Sequence, residues 1–398
     1  MAEKVVLAYS GGLDTTVAVC WLRETMGLEV VAATVDAGQG QDLEAIRERA
    51  LKSGAVQAHV VGAADEFASD FVAPALKANA AYQQKYPLFT ALSRPLIARH
   101  LARVAREVGA RYVAHGCSGK GNDQVRFEVS LGVLAPELEV LAPVRDWGMT
   151  RDESVTYGLK RGLAVPGGAS APYSIDQNLW GRSIECGALE DPMVEPPEDV
   201  WETTVDPVHA PREPTYLEIG FAHGVPVSVD GEVLALRPLI ARIEQAAGSY
   251  GVGRVDMIED RVVGIKSREI YEIPASATLL RAHADLEELT LDREVLRTKR
   301  VLEQRYAQLV YEGYWYSPLR EALDAFCDST QHDVNGTVRL RLEPGAARVV
   351  GRSSEGSLYD LALATYERGD AFDHTAGAGF IKLWGLALKS WSRARRRG

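Results

Sequence analysis

Lys4-Val5-Val6-Leu7-Ala8-Tyr9-Ser10-Gly11-Gly12-Leu13-Asp14-Thr15-Thr16-Val17-Ala18-Val19-Cys20-Trp21 lies at the start of the chain. A short apolar run passes through a glycine pair into a second segment striped with apolar residues. That order reads as strand, tight turn and helix, with Thr15, Val17, Cys20 and Trp21 in the helix's opening turns. Such a turn aims backbone N–H groups and a helix N-terminus at whatever lies within it, which suits a phosphate. Gly11 and Gly12 let the backbone curl close to a ligand, and Ser10 and Thr15 add hydroxyls. No lysine follows the glycines, so the GxxxxGK phosphate loop is absent, and so is the GxGxxG dinucleotide spacing. Both absences argue against γ-phosphate transfer and against nicotinamide chemistry.

Working outward, residues 4 to 145 alternate strand-like and helix-like segments. Val5–Leu7, Val30–Val35, Val56–Val61 and Tyr112–Ala114 are short runs suited to strands. Between them, Leu43, Ile46, Ala50 and Leu51 share one helical face that Gly54 closes, and Pro95 is expected to open a helix ending at Gly109. The alternation implies right-handed βαβ units and a parallel α/β sheet covered on both faces. Thr150-Arg151-Asp152-Glu153 is a capping box that starts a further helix.

The pattern then changes. Val165-Pro166-Gly167-Gly168 and Ala171-Pro172 read as a linker, and a proline-rich stretch runs from Pro192 to Pro214. Hairpins follow at Asp230-Gly231, at Asp260-Arg261 within Val252–Ile265, and at Pro344-Gly345. Residues 277–312 read as one long helical stretch, and Gly379–Arg397 as one amphipathic helix striped with Phe380, Leu383, Trp384, Leu388 and Trp391. The expected division is a nucleotide-binding domain over 1–165, an α+β domain over 171–365, and a terminal helix over 370–398 that reaches another subunit.

Composition narrows the partners. Of 398 residues, 46% are apolar and 25% charged, enough to fill sizeable cores, and the formal charge is −11. An acidic chain whose dense basic run is confined to Arg393–Arg397 is a poor match to nucleic acid. No run approaches the roughly 20 apolar residues needed to span a bilayer, and no secretory signal pattern is present. Cys20, Cys117, Cys186 and Cys327 are scattered, with no CxxC, which fits a reducing cytoplasm. His59 and His115 fall on strand-like segments and read as structural.

A second cluster follows the strand at Ala114: His115-Gly116-Cys117-Ser118-Gly119-Lys120-Gly121-Asn122-Asp123-Gln124-Val125-Arg126-Phe127-Glu128. Glycines expose backbone, while Lys120, Asn122, Asp123 and Arg126 supply a cation, an amide, a carboxylate and a guanidinium. That is an inventory for gripping amino-acid head groups, carboxylates by arginine and ammonium by aspartate.

SGGLDT after an apolar strand resembles the SGGxD pyrophosphate loop of the N-type ATP pyrophosphatases. HGCSGKGNDQVRFE, YPLFTALSRPLIA, APYSIDQNLWGRSIE, GVGRVDMIEDRVVGIKSREIYE and LTLDREVL resemble the argininosuccinate synthase family within that group, over nearly the whole chain. The resemblance implies a parallel-sheet, HUP or Rossmann-like nucleotide-binding domain followed by an α+β synthetase domain, and an AMP-forming carbon–nitrogen ligase. Citrulline's ureido oxygen attacks the α-phosphorus of ATP, pyrophosphate leaves, and the amine of aspartate displaces AMP from the citrullyl-AMP to give argininosuccinate. It further implies Mg²⁺ arriving with ATP, no tightly bound cofactor, a cytoplasmic homotetramer, and neither a membrane nor a nucleic acid as partner.

By the same resemblance, Ala8, Tyr9, Ser10, Gly11, Gly12, Leu13, Asp14, Thr15, Thr16, Val35 and Gly116 contact ATP. Tyr86, Asn122, Arg126, Ser174, Ser183, Glu259 and Tyr271 contact citrulline, and Ser118, Asn122 and Asp123 contact aspartate. No single catalytic group is assigned. Asp14, Asn122, Asp123 and Arg126 position the reactants, and no metal ligands, HExxH or Ser-His-Asp set stand out. The chain departs from the family pattern at Ser118 and Thr16, which keep a hydroxyl, at Val35 in place of a small residue, and at Ala91 in place of a citrulline-binding serine. Two other classes compete: a tRNA-thiolating pyrophosphatase, which needs paired cysteines and a basic face, and a non-catalytic nucleotide sensor, which leaves the second cluster unexplained.

Overall fold

The computed structural model describes residues 2–164 and 173–396, so the linker expected at Val165–Gly168 and Ala171-Pro172 lies outside the described residues. Two compact units are formed, Met1–Gly356 and Ser357–Gly398.

The first unit begins with β1 (Lys4–Ala8), β2 (Glu29–Asp36), β3 (Gln57–Gly62), β4 (Tyr112–Ala114) and β5 (Glu139–Leu141). They form one parallel sheet in the order β3-β2-β1-β4-β5. β5 escaped the sequence reading because three residues carry too little pattern. Alternation along β1 feeds two cores, Val5 and Leu7 joining Val19, Leu22 and Ile46, and Val6 joining Leu101, Val104 and Phe127. The strand order reverses direction between β1 and β4, so a crevice opens beyond their carboxyl ends. Tyr9–Gly12 and His115-Gly116, the two chemistry-bearing stretches, leave the sheet at that point.

Further on come β6 (Ser174–Asn178), β7 (Gly181–Glu185), β8 (Thr215–Ala222), β9 (Val225–Val229), β10 (Glu232–Val233), β11 (Arg254–Asp260), β12 (Lys266–Glu272), β13 (Gly336–Glu343) and β14 (Ala346–Ser353). They build two antiparallel sheets, β11-β12-β7-β6 and β10-β9-β8-β13-β14. The hairpins at Asp230-Gly231 and Pro344-Gly345 stand where expected. At the end of β12 the buried carboxylate of Glu272 accepts the N–H groups of Glu202, Thr203 and Thr204 and a bond from Arg182, which fixes the strand's position.

Four expectations are corrected. The helix expected to open at Pro95 spans Phe89–Val108 and carries Pro95 inside it. Its start is caught from outside by the Tyr86 hydroxyl, which accepts the N–H groups of Thr90 (3.1 Å) and Ala91 (3.3 Å). The hairpin placed at Asp260-Arg261 turns over Arg261–Ile265, because β11 runs unbroken to Asp260. The stretch 277–312 is two helices, Pro274–Thr290 and Arg293–Tyr311, divided where the Asp292 carboxylate caps the second. In the second unit, the single terminal helix is two, His374–Trp384 and Leu386–Arg395, meeting at Gly385, with Phe380 stacked on Trp384 at 5.3 Å. Among the described residues no helix is long and apolar enough to cross a membrane.

Candidate active site

The turn after β1 is anchored before it bends. Tyr9 donates its N–H to the Ala33 oxygen (2.9 Å), and the Thr34 hydroxyl donates to the Tyr9 oxygen (2.8 Å). Gly11 then takes φ +75°, a conformation that suits glycine, and Gly12 is extended and caps the helix Leu13–Met26. Arg49 donates to the Gly11 oxygen at 2.6 Å, so that carbonyl is already paired. The first helical donor is Thr16, bonded to the Gly12 oxygen, so the N–H groups of Leu13, Asp14 and Thr15 precede the ladder. The Thr15 hydroxyl lies 3.2 Å from that of Ser10, and the Thr16 hydroxyl 3.0 Å from that of Tyr9. The result is a small cradle of donors beside a helix N-terminus, suited to phosphate oxygens.

Val35 has its side chain in the core and gives its oxygen to Gln39 Nε2 (3.0 Å). Gly116 brings the second stretch against the first, since a Cβ there would lie 2.8 Å from Thr15 Cγ2. The two motifs therefore share one crevice.

Beyond Gly116 the chain is braced both within itself and to neighbouring elements. His115 is buried, its Nδ1 accepting from the Cys117 N–H and its Nε2 lying 3.3 Å from Glu128. Gln124 Nε2 donates to the oxygens of Gly119 and Gly121. Asn122 spans two elements, donating to the Tyr311 hydroxyl (2.8 Å) and accepting the Val262 N–H (2.9 Å). Asp123 is held by Arg94 at 2.9 Å and Arg126 at 2.8 Å. Burial opposes its charge, but the two guanidiniums win and keep its carboxyl below the usual range.

Arg126 is 3% exposed. Its Nε donates to the Tyr311 oxygen (3.0 Å), its Nη1 to Asp123, and its guanidinium lies 5.0 Å from the Tyr311 ring. Its Nη2 is buried without a hydrogen-bond partner among the described residues. A buried guanidinium corner left open costs stability unless a ligand fills it, and a carboxylate is the complementary group.

Strand register gathers the rest. Ser174 faces Glu185, Asp176 faces Ser183, Ser183 faces Tyr271, and Glu259 faces Ser267 across the sheet β11-β12-β7-β6. Directly opposed residues and those two apart share a face. Ser174, Ser183, Tyr271 and Glu259, expected only by resemblance to act together, therefore stand on one face. Glu259 is buried and accepts from the Tyr271 and Tyr311 hydroxyls; burial pushes its carboxyl up, and those two bonds partly offset the push. Tyr86 stacks on Tyr271 at 4.9 Å, and its hydroxyl already caps the helix Phe89–Val108. Ser118 lies on the glycine loop, with its oxygens near the space beside Gly121.

Several residues of this cleft were missed from the sequence. Tyr311 links Asn122, Arg126 and Glu259, and the turn after it is set by Gly313 (φ +85°), where a Cβ would lie 3.1 Å from the Arg126 Cα. Arg94 joins Asp123 to Asp176. Thr90 bonds the Tyr86 hydroxyl and lies 3.4 Å from Arg126 Nη1, so a hydroxyl stands next to Ala91. A threonine beside the serine-to-alanine departure was the one available signal.

A family model described as the arginosuccinate synthase N-terminal HUP domain matches residues 4–164, and one described as the C-terminal domain of that synthase matches residues 173–391. An argininosuccinate synthase of Rubrobacter xylanophilus is 57% identical over 390 residues, covering 98% of this chain and 95% of that protein. One from Oceanobacillus iheyensis is 55% identical over 384 residues, covering 96% and 92%, and one from a Synechococcus species is 56% identical over 396 residues, covering 99% and 98%.

Proposed function

We propose a division of labour for this cleft that starts from one premise: the chain belongs to the argininosuccinate synthase family. It is a ligase of arginine biosynthesis, and the family's substrates are citrulline, aspartate and ATP. The cradle Ala8–Thr16 holds the β- and γ-phosphates, with Val35 and the Gly116 backbone completing the ATP site. Mg²⁺ enters as part of the ATP substrate. Arg126 takes the citrulline carboxylate, Tyr86, Ser174, Ser183, Glu259 and Tyr271 line the remainder, and Asn122 stands between the two amino acids. Asp123 receives the aspartate ammonium, and Ser118 its carboxylate.

The chemistry follows from what each bond requires. A neutral urea oxygen leaves carbon poorly, so it is first joined to the α-phosphorus of ATP as pyrophosphate departs. The aspartate amine then forms the C–N bond as AMP leaves. Catalysis is mainly positioning and stabilisation of phosphate charge, which suits a cleft rich in N–H donors and guanidiniums. The observation carrying this reading is the Nη2 of Arg126, on a buried guanidinium beside Tyr311, Asp123 and Thr90, and unpartnered among the described residues. The domain division at 1–165, 171–365 and 370–398, the cytoplasmic location, and a homotetramer held partly by the apolar C-terminal stripe belong to the same proposal.

Incubation with ATP, citrulline and aspartate tests it. AMP, pyrophosphate and argininosuccinate are expected in equal amounts. Pyrophosphate release that ignores citrulline would contradict the reading.

A further inference from the structure

Resting on that reading, the second step poses a problem the assigned residues leave open. Aspartate arrives as an ammonium, which has no lone pair with which to attack carbon, so some group must take its proton where the two amino acids meet. Most carboxylates of the cleft are already engaged. Glu259 accepts from two tyrosines and Asp123 from Arg94 and Arg126. Glu269 accepts from Arg261 and Ser267, and its side chain is only 8% exposed.

Glu185 differs. Its Oε2 accepts from Arg261 Nη2 at 2.8 Å, its Oε1 has no hydrogen-bond partner among the described residues, and its side chain is 37% exposed. It ends β7 opposite Ser174 and shares the face of Ser183 and Tyr271. Its partner Arg261 also reaches the Lys120 oxygen (3.5 Å), and the adjacent Val262 N–H bonds Asn122. Glu185 thus sits where the loop assigned to aspartate abuts the sheet face assigned to citrulline. The geometry points to Glu185 as the general base that accepts a proton from the α-ammonium of aspartate before the C–N bond forms.

The step balances. One N–H bond of the ammonium breaks and an O–H bond forms on Glu185. The freed nitrogen pair bonds to the adenylated carbon, the C–O bond breaks, and its electron pair leaves on AMP. A second proton, lost from nitrogen as the bond forms, goes to the departing phosphate oxygen, and Glu185 returns its own to water at its exposed edge. The surroundings suit the task. Burial, with Glu269 and Asp123 adding repulsion against the attraction of Arg261, pushes the Glu185 carboxyl up to about 7; Cys186 and Glu190 are the next titratable groups along the chain.

The test is E185Q in the full chain, with E185D beside it. Citrulline-dependent pyrophosphate release in a single turnover without aspartate is expected to stay within about twofold of the parent. Argininosuccinate formation is expected to fall by about 10²- to 10⁴-fold, the usual worth of a positioned base. E185D should retain more activity than E185Q, and the parent's acid limb near pH 7 in kcat/KM for aspartate should vanish in E185Q. Equal loss of pyrophosphate release, or argininosuccinate formation within threefold of the parent, would overturn the assignment. If the parent itself releases no pyrophosphate in response to citrulline, the family reading of the cleft falls first and this inference with it.

Discussion

Gly116→Ala probes the contact that joins the two motifs. The added Cβ would stand 2.8 Å from Thr15 Cγ2, whereas carbon atoms rest at about 3.5–4.0 Å, so something must yield by roughly 0.7 Å or more. Thr15 has little room to yield quietly: it is 7% exposed, and its hydroxyl is tied to Ser10 (3.2 Å) and to the Gly12 oxygen (3.4 Å). Turning it away removes a hydroxyl from the cradle and shifts the first helical N–H groups. Overpacking of this kind costs about 1–3 kcal/mol. The displaced Thr15 must return to its original arrangement for ATP to bind, so the cost falls on ATP binding. At 1.4 kcal/mol per tenfold, the KM for ATP should rise roughly 5- to 150-fold. The KM for citrulline should change far less. Gly121→Ala is the control, because its Cβ would make only an ordinary 3.8 Å contact with Ser118 Oγ, and both KM values should hold. Steady-state assays that vary each substrate in turn, with melting curves to confirm folding, give the readout. Unchanged ATP binding in folded Gly116→Ala, or equal effects on ATP and citrulline, would refute the idea that the two loops form one phosphate site.

Two further outcomes are expected. Arg126→Ala removes the buried guanidinium offered to a carboxylate, a loss of the order of 2–5 kcal/mol, so the citrulline KM should rise at least 30-fold while that for ATP moves less than threefold; parallel changes in separate KM measurements would count against the role. Burial and the neighbouring Glu272 push Glu244 up to about 7 from an ordinary 4.5, so the native state holds a proton that the unfolded chain releases, and stability falls as pH rises from about 4.5 to 7 and stays low above it. Glu244→Gln should therefore melt higher than the parent at pH 8 and equally at pH 4.5; the same difference at both pH values would contradict the mechanism.

What was legible in the sequence was local. Strand, glycine pair and helix are neighbours along the chain, so the cradle at Ser10–Thr16 could be placed from the pattern alone. The capping box at Thr150 was legible for the same reason, with both of its bonds inside four residues. Pro95 misled because the true helix start depends on the Tyr86 hydroxyl, and the turn through Leu88 (φ +66°) gives no helix signal. Arg49, Arg94 and Tyr311 were illegible because their partners in the cleft lie far away in sequence, Tyr311 reaching Asn122 from 189 residues beyond. Ser174, Ser183, Tyr271 and Glu259 came by resemblance only. Their shared face emerges from strand register, which no single strand encodes.

The central claim is that this cleft activates the ureido oxygen of citrulline by joining it to the α-phosphorus of ATP. Citrulline carrying ¹⁸O in the ureido group, turned over with ATP and aspartate, tests it by mass spectrometry of the products. The account predicts one ¹⁸O in the phosphate of AMP for each argininosuccinate formed, and none in pyrophosphate. Label recovered in pyrophosphate or in water, with unlabelled AMP, would contradict it.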